Sequence, residues 1–135
     1  MIIKKLYCFA KMEDTFVIIK PNVCECNQTV EILKKLKSNQ ISIIKLTQKI
    51  PNIDQWKCHY IKRQNKDYYD LLCQTLANRP ILCVHLRGNN AINLIREIVP
   101  SIRKDFGKNC IDNAIHASRN NYEVSRELQL WNMID

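Results

Sequence analysis

The stretch Thr15-Phe-Val-Ile-Ile-Lys-Pro-Asn22 decides the fold class of this chain. Its uninterrupted run of β-branched and apolar residues predicts a buried strand, and Lys-Pro-Asn predicts the turn that ends it. The runs Ile41-Ser-Ile-Ile-Lys-Leu46 and Pro80-Ile-Leu-Cys-Val-His-Leu86 predict a second strand and a third, central one. The alternating segment Glu127-Leu-Gln-Leu-Trp131 predicts a short fourth strand.

The segments between these strands carry apolar residues at helical spacing. One helix is predicted after the first strand, two before the third, and one after it, which Pro100 should stop. The apolar positions are Val30, Leu33 and Leu36; Ile53, Trp56 and Tyr60; Tyr68, Leu72 and Leu76; and Ile92, Ile95 and Ile98. This order predicts an α/β (α+β) fold, a ferredoxin-like βαββαβ sandwich with an antiparallel four-stranded sheet. We expect the helices to cover one face of the sheet and to enclose a single core.

Length and composition are those of one folded domain. The chain has 135 residues, of which 46% are hydrophobic and 25% are charged, and these values exclude disorder of the whole chain. We interpret residues 1–13 as an N-terminal extension and residues 14–135 as a single domain. The run Leu6 to Ala10 is too short for a signal-peptide core, and no apolar run reaches the roughly 18 residues of a membrane helix. The expected location is cytoplasmic, away from membranes.

The seven cysteines do not suggest a disulfide framework, because their number is odd and no secretion signal accompanies them. The close pair Cys24 and Cys26 has no second pair to complete a zinc site. Free thiols in a reducing compartment are therefore expected.

The chain is basic, with 21 Lys and Arg against 13 Asp and Glu, a net charge of +8. This balance favours polyanionic partners, whether nucleotides, nucleic acid or an acidic membrane surface. Only two glycines occur, so a glycine-rich phosphate loop is excluded and side chains would have to hold any phosphate. Lys20, Arg96 and Arg103 are candidates for that role, because ammonium and guanidinium groups match phosphate oxygens. Each of them alone is better explained as a surface charge.

The three histidines differ in their surroundings. His85 lies inside an apolar strand and is interpreted as a core or sheet-face residue, and His59 is interpreted as a surface or packing residue of a helix. His116 lies in Asn113-Ala-Ile-His-Ala-Ser118, a segment with polar residues on both sides and no regular apolar period. That setting makes His116 the candidate for catalysis.

Five motifs in order resemble the nucleoside diphosphate kinase family from about Thr15 to Trp131. They are Ile18-Ile-Lys-Pro-Asn22, His59-Tyr60, Ile102-Arg-Lys-Asp-Phe106, Asn113-Ala-Ile-His-Ala-Ser118 and Glu127-Leu-Gln-Leu-Trp131. The Asn-x-x-His-x-Ser box followed by Glu is the most specific of them. The resemblance implies a phosphotransferase that moves the γ-phosphate of a nucleoside triphosphate, such as ATP, to a nucleoside diphosphate through a phosphohistidine, with ping-pong kinetics.

The resemblance also implies roles for individual residues. His116 would carry the phosphate, and Glu127 would orient its imidazole with help from Ser118. The nucleotide would be held by Lys20, Tyr60, Tyr68, Leu72, Arg96, Arg103, Cys110 and Asn113. Within this set, Tyr68 and Leu72 would contact the base with Cys110 opposite, and Tyr60, Asn113 and Lys20 would hold phosphates and sugar hydroxyls. Mg²⁺ would arrive on the nucleotide phosphates, so no metal-ligating residue is expected.

The chain departs from the family pattern at several positions. The family's Lys-Pro-Asp ends in Asn22 here, its Arg-Gly-Asp is Arg103-Lys104-Asp105, and its His-Gly-Ser-Asp is His116-Ala-Ser-Arg119. Between Arg96 and Arg103 a long loop with a nucleotide-binding threonine is shortened to six residues. A homo-oligomer, at least a dimer, is implied, but the family's hexamer does not follow.

These departures leave a second function open. A weakly active or inactive family member could act as a scaffold that binds nucleotides or nucleic acid, which the positive net charge also favours. An RNA-binding domain of the RRM kind is disfavoured, because the third strand lacks the glycine and aromatic residues on which bases stack.

Overall fold

The computed structural model describes residues 11–38 and 40–134. Within these ranges four strands and six α-helices follow one another, with one short 3₁₀ helix. In chain order they are β1 (Met12–Ile19), α1 (Pro21–Cys24), α2 (Thr29–Leu36), β2 (Ile41–Lys49), α3 (Ile53–His59), the 3₁₀ helix (Ile61–Arg63), α4 (Tyr69–Leu76), β3 (Ile81–Asn89), α5 (Ala91–Phe106), β4 (Ile115–Ala117) and α6 (Asn121–Leu130).

The four strands form one antiparallel sheet in the order β2-β3-β1-β4. Strand β1 is central, because it pairs along its whole length with β3 and over residues 17–19 with β4. The register places Ile18 between Cys83 of β3 and His116 of β4. This arrangement is the ferredoxin-like sheet predicted from the element order, and the prediction is confirmed.

Helices cover both faces of the sheet, so the expectation of one covered face and a single core is wrong. Val17 and Ile19 belong to a core shared with α2 and α5, whereas Phe16 and Ile18 belong to a second core shared with α3, α4 and α6. All four side chains are fully buried. A strand with apolar residues at every position is hydrophobic on both faces. The unbroken apolar run therefore already indicated that both faces of β1 are covered.

The fourth strand is Ile115–Ala117, and the prediction of a strand over residues 127–131 is wrong. Those residues lie in α6 and at its C-terminal end. Val124, Leu128 and Trp131 are buried at spacings of four and three residues, which fit one face of a helix better than the short alternation fits a strand. The Asn120 side chain caps this helix by accepting a hydrogen bond from the backbone N–H of Glu123 at 2.9 Å.

Helix α5 continues through Pro100, although the sequence predicted that it would stop there. A proline inside a helix removes one backbone hydrogen bond, here the one to the carbonyl of Arg96. Ile95, Val99 and Ile102 are all buried on the side of the helix that faces the sheet. We attribute the continuity of α5 to the burial of this apolar face, which outweighs the loss of one hydrogen bond.

The described part of the chain begins inside the expected extension. Met12 and Glu13 belong to β1 and pair with Asn89 and Gly88 of β3, and residues 1–10 lie outside the described residues. Of the helices in residues 11–38 and 40–134, none combines the length and apolar character that crossing a membrane requires.

Candidate active site

His116 lies at the middle of β4, and its imidazole is held by a carboxylate. Its Nε2 lies 2.8 Å from Oε1 of Glu127, and the Ser118 hydroxyl donates to the same oxygen at 2.6 Å. Ser118 and Glu127 are both buried, so neither bond competes with bulk water. Because Nε2–H donates to the carboxylate, the lone pair of the neutral ring lies on Nδ1. The structure brings together the three residues that the sequence predicted as catalytic.

The surroundings of His116 keep its ring uncharged. Burial lowers the pKa of His116 to about 3, and the positive charges of Lys20, Arg103 and Arg96 act in the same direction, against Glu123. Burial also raises the pKa of Glu127, with His59 and the Ser118 hydrogen bond opposing that shift. At neutral pH the imidazole is therefore unprotonated, as the attack on phosphorus expected of His116 would require.

A second histidine packs against the first. The rings of His59 and His116 meet edge to face with centroids 4.5 Å apart, and the indole N–H of Trp131 donates to Nδ1 of His59 at 3.1 Å. Burial lowers the pKa of His59 well below its usual value. The packing role expected for His59 is observed, but its contact with the candidate nucleophile carried no signal in the sequence, because it joins residues far apart in the chain.

His59, His116 and Glu127 form the one group in residues 11–38 and 40–134 whose ligand atoms cluster closely enough for a metal ion. The group does not fit a cation. The Trp131 bond leaves the proton of the neutral His59 ring on Nε2, and Glu127 already accepts from His116 and Ser118. A divalent cation in this site would therefore depend on ligands that the nucleotide brings.

Two arginines of α5 flank His116. Arg96 and Arg103 are seven residues apart, close to two full helical turns, so their side chains leave the same face of α5. Arg96 donates to the carbonyl of Ala117 at 3.4 Å, and Arg103 donates twice to the carbonyl of Ile115, at 3.0 and 3.2 Å. Burial, followed by the charge of Arg96, lowers the pKa of Arg103. The segment predicted as a shortened loop is thus part of the helix that aligns these two cations.

Lys20 lies on the other side of the site, directly after β1. It is almost fully buried, and its ammonium donates to the carbonyl of Ile111 at 3.3 Å and lies 5.8 Å from the ring centroid of Tyr60. Burial, together with the charges of Arg103 and Arg63, lowers the pKa of Lys20 to about 7, with Asp112 opposing that shift. A buried ammonium beside other cations favours an anionic ligand.

The segment before β4 is a tight turn with an unused acceptor. Ala114 has φ +78° and is bridged by a hydrogen bond of 3.0 Å from the N–H of Ile115 to the carbonyl of Asn113, the geometry of a strained γ-turn. The side-chain oxygen of Asn113 is buried and has no hydrogen-bond donor among the described residues. A ligand hydroxyl would satisfy it.

The departures from the family pattern are accommodated locally. The Asn22 amide donates to the carbonyl of Phe106 at 2.8 Å and accepts from the N–H of Ala114 at 3.2 Å, which an ionised aspartate cannot do. Lys104 lies in α5 and Ala117 lies in β4. Neither has a positive φ, so the side chains that replace glycine cause no backbone strain there.

The residues predicted to contact a base differ in how far they are exposed to solvent. Tyr68 is 43% exposed, and its hydroxyl accepts from Nη1 of Arg63 at 3.2 Å. Leu72 lies in α4 and is buried in the second core, whereas Cys110 is exposed. Tyr68 therefore offers more exposed surface to a base than Leu72 does. The contact from Arg63 was not expected from the sequence.

Comparisons with known proteins point to one family. The family model described as nucleoside diphosphate kinase matches residues 13–133. The curated nucleoside diphosphate kinase of Staphylococcus epidermidis is 30% identical over an alignment 132 positions long, and the match covers 89% of this chain and 87% of that protein. A solved nucleoside diphosphate kinase family protein from Babesia bovis is 29% identical with a TM-score of 0.80, covering 88% and 87% of the two chains.

A halophilic nucleoside diphosphate kinase from Halobacterium salinarum, solved in complex with CDP, shares the fold. It has a TM-score of 0.82 and 22% identity, and the match covers 90% of this chain and 88% of that one. The likeness therefore extends over nearly the whole described chain rather than over one motif.

Proposed function

The chain belongs to the nucleoside diphosphate kinase family, and on that premise we propose that His116 is the residue that carries phosphate between its nucleotide substrates. The activity is phosphate transfer from one nucleotide to another, and the scaffold alternative is not favoured by the relatives. The observation that supports His116 is its bond to Glu127, which leaves Nδ1 free to react.

In the first half-reaction Nδ1 of His116 attacks the γ-phosphorus of a nucleoside triphosphate. A nitrogen–phosphorus bond forms, the bond from phosphorus to the β–γ bridging oxygen breaks, and the nucleoside diphosphate leaves. In the second half-reaction a terminal oxygen of another nucleoside diphosphate takes the phosphoryl group, and His116 is regenerated. Glu127 holds the imidazole through Nε2 in both steps, with Ser118 holding the carboxylate.

The cations around His116 stabilise the transferring group. Arg96 and Arg103 flank the nucleophile, and Lys20 approaches from the end of β1. Charge develops on the equatorial oxygens during phosphoryl transfer, and fixed cations in a water-poor site stabilise it strongly. Both arginines keep donors beyond those bonded to β4, since a guanidinium has five.

We propose Mg²⁺ as the divalent cation and the nucleotide phosphates as its carriers. The protein's own contribution is the set of cations that position the phosphates, because Glu127 is committed to His116 and Asp112 is committed to Arg79. When bound, Mg²⁺ would neutralise charge on the phosphate oxygens.

The rest of the nucleotide would lie along Tyr60 and Tyr68. Tyr68, with Leu72 and Cys110, would contact the base, and stacking on an aromatic ring tolerates any base. Asn113 would use its unpartnered side-chain oxygen to accept a hydrogen bond from a sugar hydroxyl. We therefore expect broad base specificity.

The helical form of residues 97–102 bears on assembly and affinity. A wall of the cleft that would otherwise come from a longer segment is missing, so we expect a higher KM than in relatives with that segment. We also expect dimers rather than hexamers in solution, which light scattering at sub-micromolar concentration would test; a persistent hexamer contradicts this expectation. Nucleic-acid binding and the cytoplasmic location stay predictions.

The proposed function is tested by incubating the purified protein with γ-labelled ATP and no acceptor. Label should appear on His116 and leave it when any nucleoside diphosphate is added. Absence of labelled protein under saturating ATP would contradict the assignment.

A further inference from the structure

Arg63 is a cation of the cleft that the family-based assignment does not include. It ends the 3₁₀ helix Ile61–Arg63, whose last residue turns back towards Tyr60 through a hydrogen bond between the N–H of Arg63 and the carbonyl of Tyr60. Its guanidinium lies 5.7 Å from the ring centroid of Tyr60 and donates from Nη1 to the hydroxyl of Tyr68. Arg63 thus lies between the two tyrosines along which the nucleotide would bind.

Among the residues that the structure describes, no carboxylate forms a salt bridge with the guanidinium of Arg63. Over residues 11–38 and 40–134, the salt bridges involve neither Arg63 nor the other cleft cations Lys20, Arg96 and Arg103. The charge of Arg63 is felt by both Lys20 and Arg103, whose pKa values it lowers. Four cations therefore share one cleft without a carboxylate bound to any of them, and a polyphosphate is the kind of ligand that would compensate them.

The position of Arg63 indicates which phosphates it would meet. Arg96 and Arg103 bond to the residues on either side of His116, so they lie where the transferred phosphate must be. Arg63 instead lies with Tyr60 and Tyr68, on the side assigned to the sugar and base. With Nη1 on the Tyr68 hydroxyl, its remaining donors can form a fork to phosphate oxygens.

We propose that Arg63 binds the non-transferred phosphates of the nucleotide and so selects nucleoside di- and triphosphates over nucleosides. This inference rests on the proposed function for the identity of the ligand. Because both substrates carry these phosphates, the contact contributes equally to donor and acceptor binding and little to the chemical step.

The chain offers a matched control in the next residue. Lys62 is also cationic and lies in the same 3₁₀ helix, but its ammonium lies 5.3 Å from the ring of Tyr122 and not over Tyr60. Arg63→Ala should raise KM for both ATP and the acceptor diphosphate about tenfold or more, with kcat at saturation changed less than about twofold. Lys62→Ala should leave both constants within about twofold of the parent.

Calorimetry separates the proposal from the function on which it rests. ADP should bind Arg63→Ala about tenfold more weakly than the parent, whereas adenosine should bind both equally. This binding test stands even if His116 takes no label, so failure of the catalytic assignment and failure of the Arg63 assignment give different results. Equal ADP affinity of Arg63→Ala and the parent would overturn the proposal.

A structural role for Arg63 predicts a different pattern. If Arg63 only props Tyr68, then Tyr68→Phe, which removes the accepting hydroxyl and keeps the ring, should lose as much ADP affinity as Arg63→Ala. We expect the smaller loss from Tyr68→Phe, and a partial recovery in Arg63→Lys, which keeps the charge and loses the fork. Equal losses in Tyr68→Phe and Arg63→Ala would overturn the proposal.

Discussion

Two groups of cationic side chains differ in whether carboxylates of the protein neutralise their positive charge. In the first, Arg79 is bridged to Glu25 at 2.6 Å and to Asp112 at 3.0 Å. In the second, Lys20, Arg63, Arg96 and Arg103 meet only carbonyls, a hydroxyl and an aromatic ring among the described residues. An anion site is therefore located by cations that no carboxylate of the protein neutralises. The net charge of the chain does not locate it.

The pKa shifts of the two groups confirm the contrast. The hydrogen bond to Glu25 raises the pKa of Arg79, so its charged form is stabilised by protein partners. Burial lowers the pKa of Lys20 and of Arg103, so their charged forms lack such partners. A bound polyphosphate would neutralise the cations of the second group, as Glu25 and Asp112 neutralise Arg79 in the first.

The largest expected effect comes from removing the nucleophile while leaving the uncompensated cations in place. His116→Ala should abolish labelling by γ-labelled ATP and all turnover, and ADP should still bind, because the cations remain. His85→Asn is the control, since His85 is also a strand histidine bound to a carboxylate but pairs with Asp14 of β1 rather than with Glu127. Transfer at the parental rate by His116→Ala would show that another residue carries the phosphate.

The next largest effect concerns the carboxylate that holds the imidazole. Glu127→Ala should lower kcat about 10- to 100-fold without abolishing labelling, by analogy with other groups that orient a reacting ligand. KM should change less, because Glu127 touches His116 and Ser118 and no phosphate. Steady-state kinetics on the variant measures both constants, and full activity would mean that the imidazole is held by something else.

The pH dependence of kcat/KM should report the protonation state of Lys20, which belongs to the group without carboxylate partners among the described residues. With a pKa near 7 in the free protein, Lys20 loses its proton as the pH rises through neutrality, so kcat/KM should fall on the alkaline side. Lys20→Arg should remove this limb, because an arginine stays charged. No acid limb from His116 should appear between about pH 8 and 5, since its pKa is lowered to about 3. An NMR titration of the imidazole measures that pKa directly.

The same two shifts predict the dependence of stability on pH. For His116 and Lys20 the folded pKa lies below the unfolded one, so between the two values the unfolded chain binds more protons. The free energy of unfolding should therefore fall as the pH falls, from about 10 to 7 because of Lys20 and from about 6 to 3 because of His116. Urea titrations at several pH values measure it, and His116→Ala should flatten the acidic part.

The smallest effect should come from removing a carboxylate from the group around Arg79. Asp112→Asn removes a charge that supports the protonated form of Lys20 and leaves Arg79 with Glu25 alone. The alkaline limb of kcat/KM should move to lower pH by less than about one unit, with a modest rise in KM. Glu25→Gln is the control, because Glu25 contacts Arg79 and does not act on Lys20. An unchanged profile in Asp112→Asn would mean that the two groups are electrically independent.

Much of the fold and the site was predictable because it depends on local patterns. The runs at residues 15–19, 41–46 and 81–86 lie in strands in the structure, since apolar and β-branched content is a property of the segment itself. His116 and Ser118 were found from one motif and Glu127 from the next, through the resemblance to the family, and the three lie in contact. The predictions of a strand over residues 127–131 and of a helix end at Pro100 were wrong. Helix packing outweighed the local alternation of residues 127–131 and the helix-breaking tendency of Pro100.

The residue types were thus determined by the sequence, and the pairing of their charges by the tertiary structure. Arg79 and Arg63 are indistinguishable as arginines in the printed chain. Arg79 is neutralised by carboxylates 54 and 33 positions away, whereas Arg63 reaches a tyrosine five positions away and none of the described carboxylates. Contacts over such separations depend on how sheet and helices pack, and no local propensity encodes them. The free positive charge of the cleft, and with it the proposed role of Arg63, therefore appears only in the folded chain.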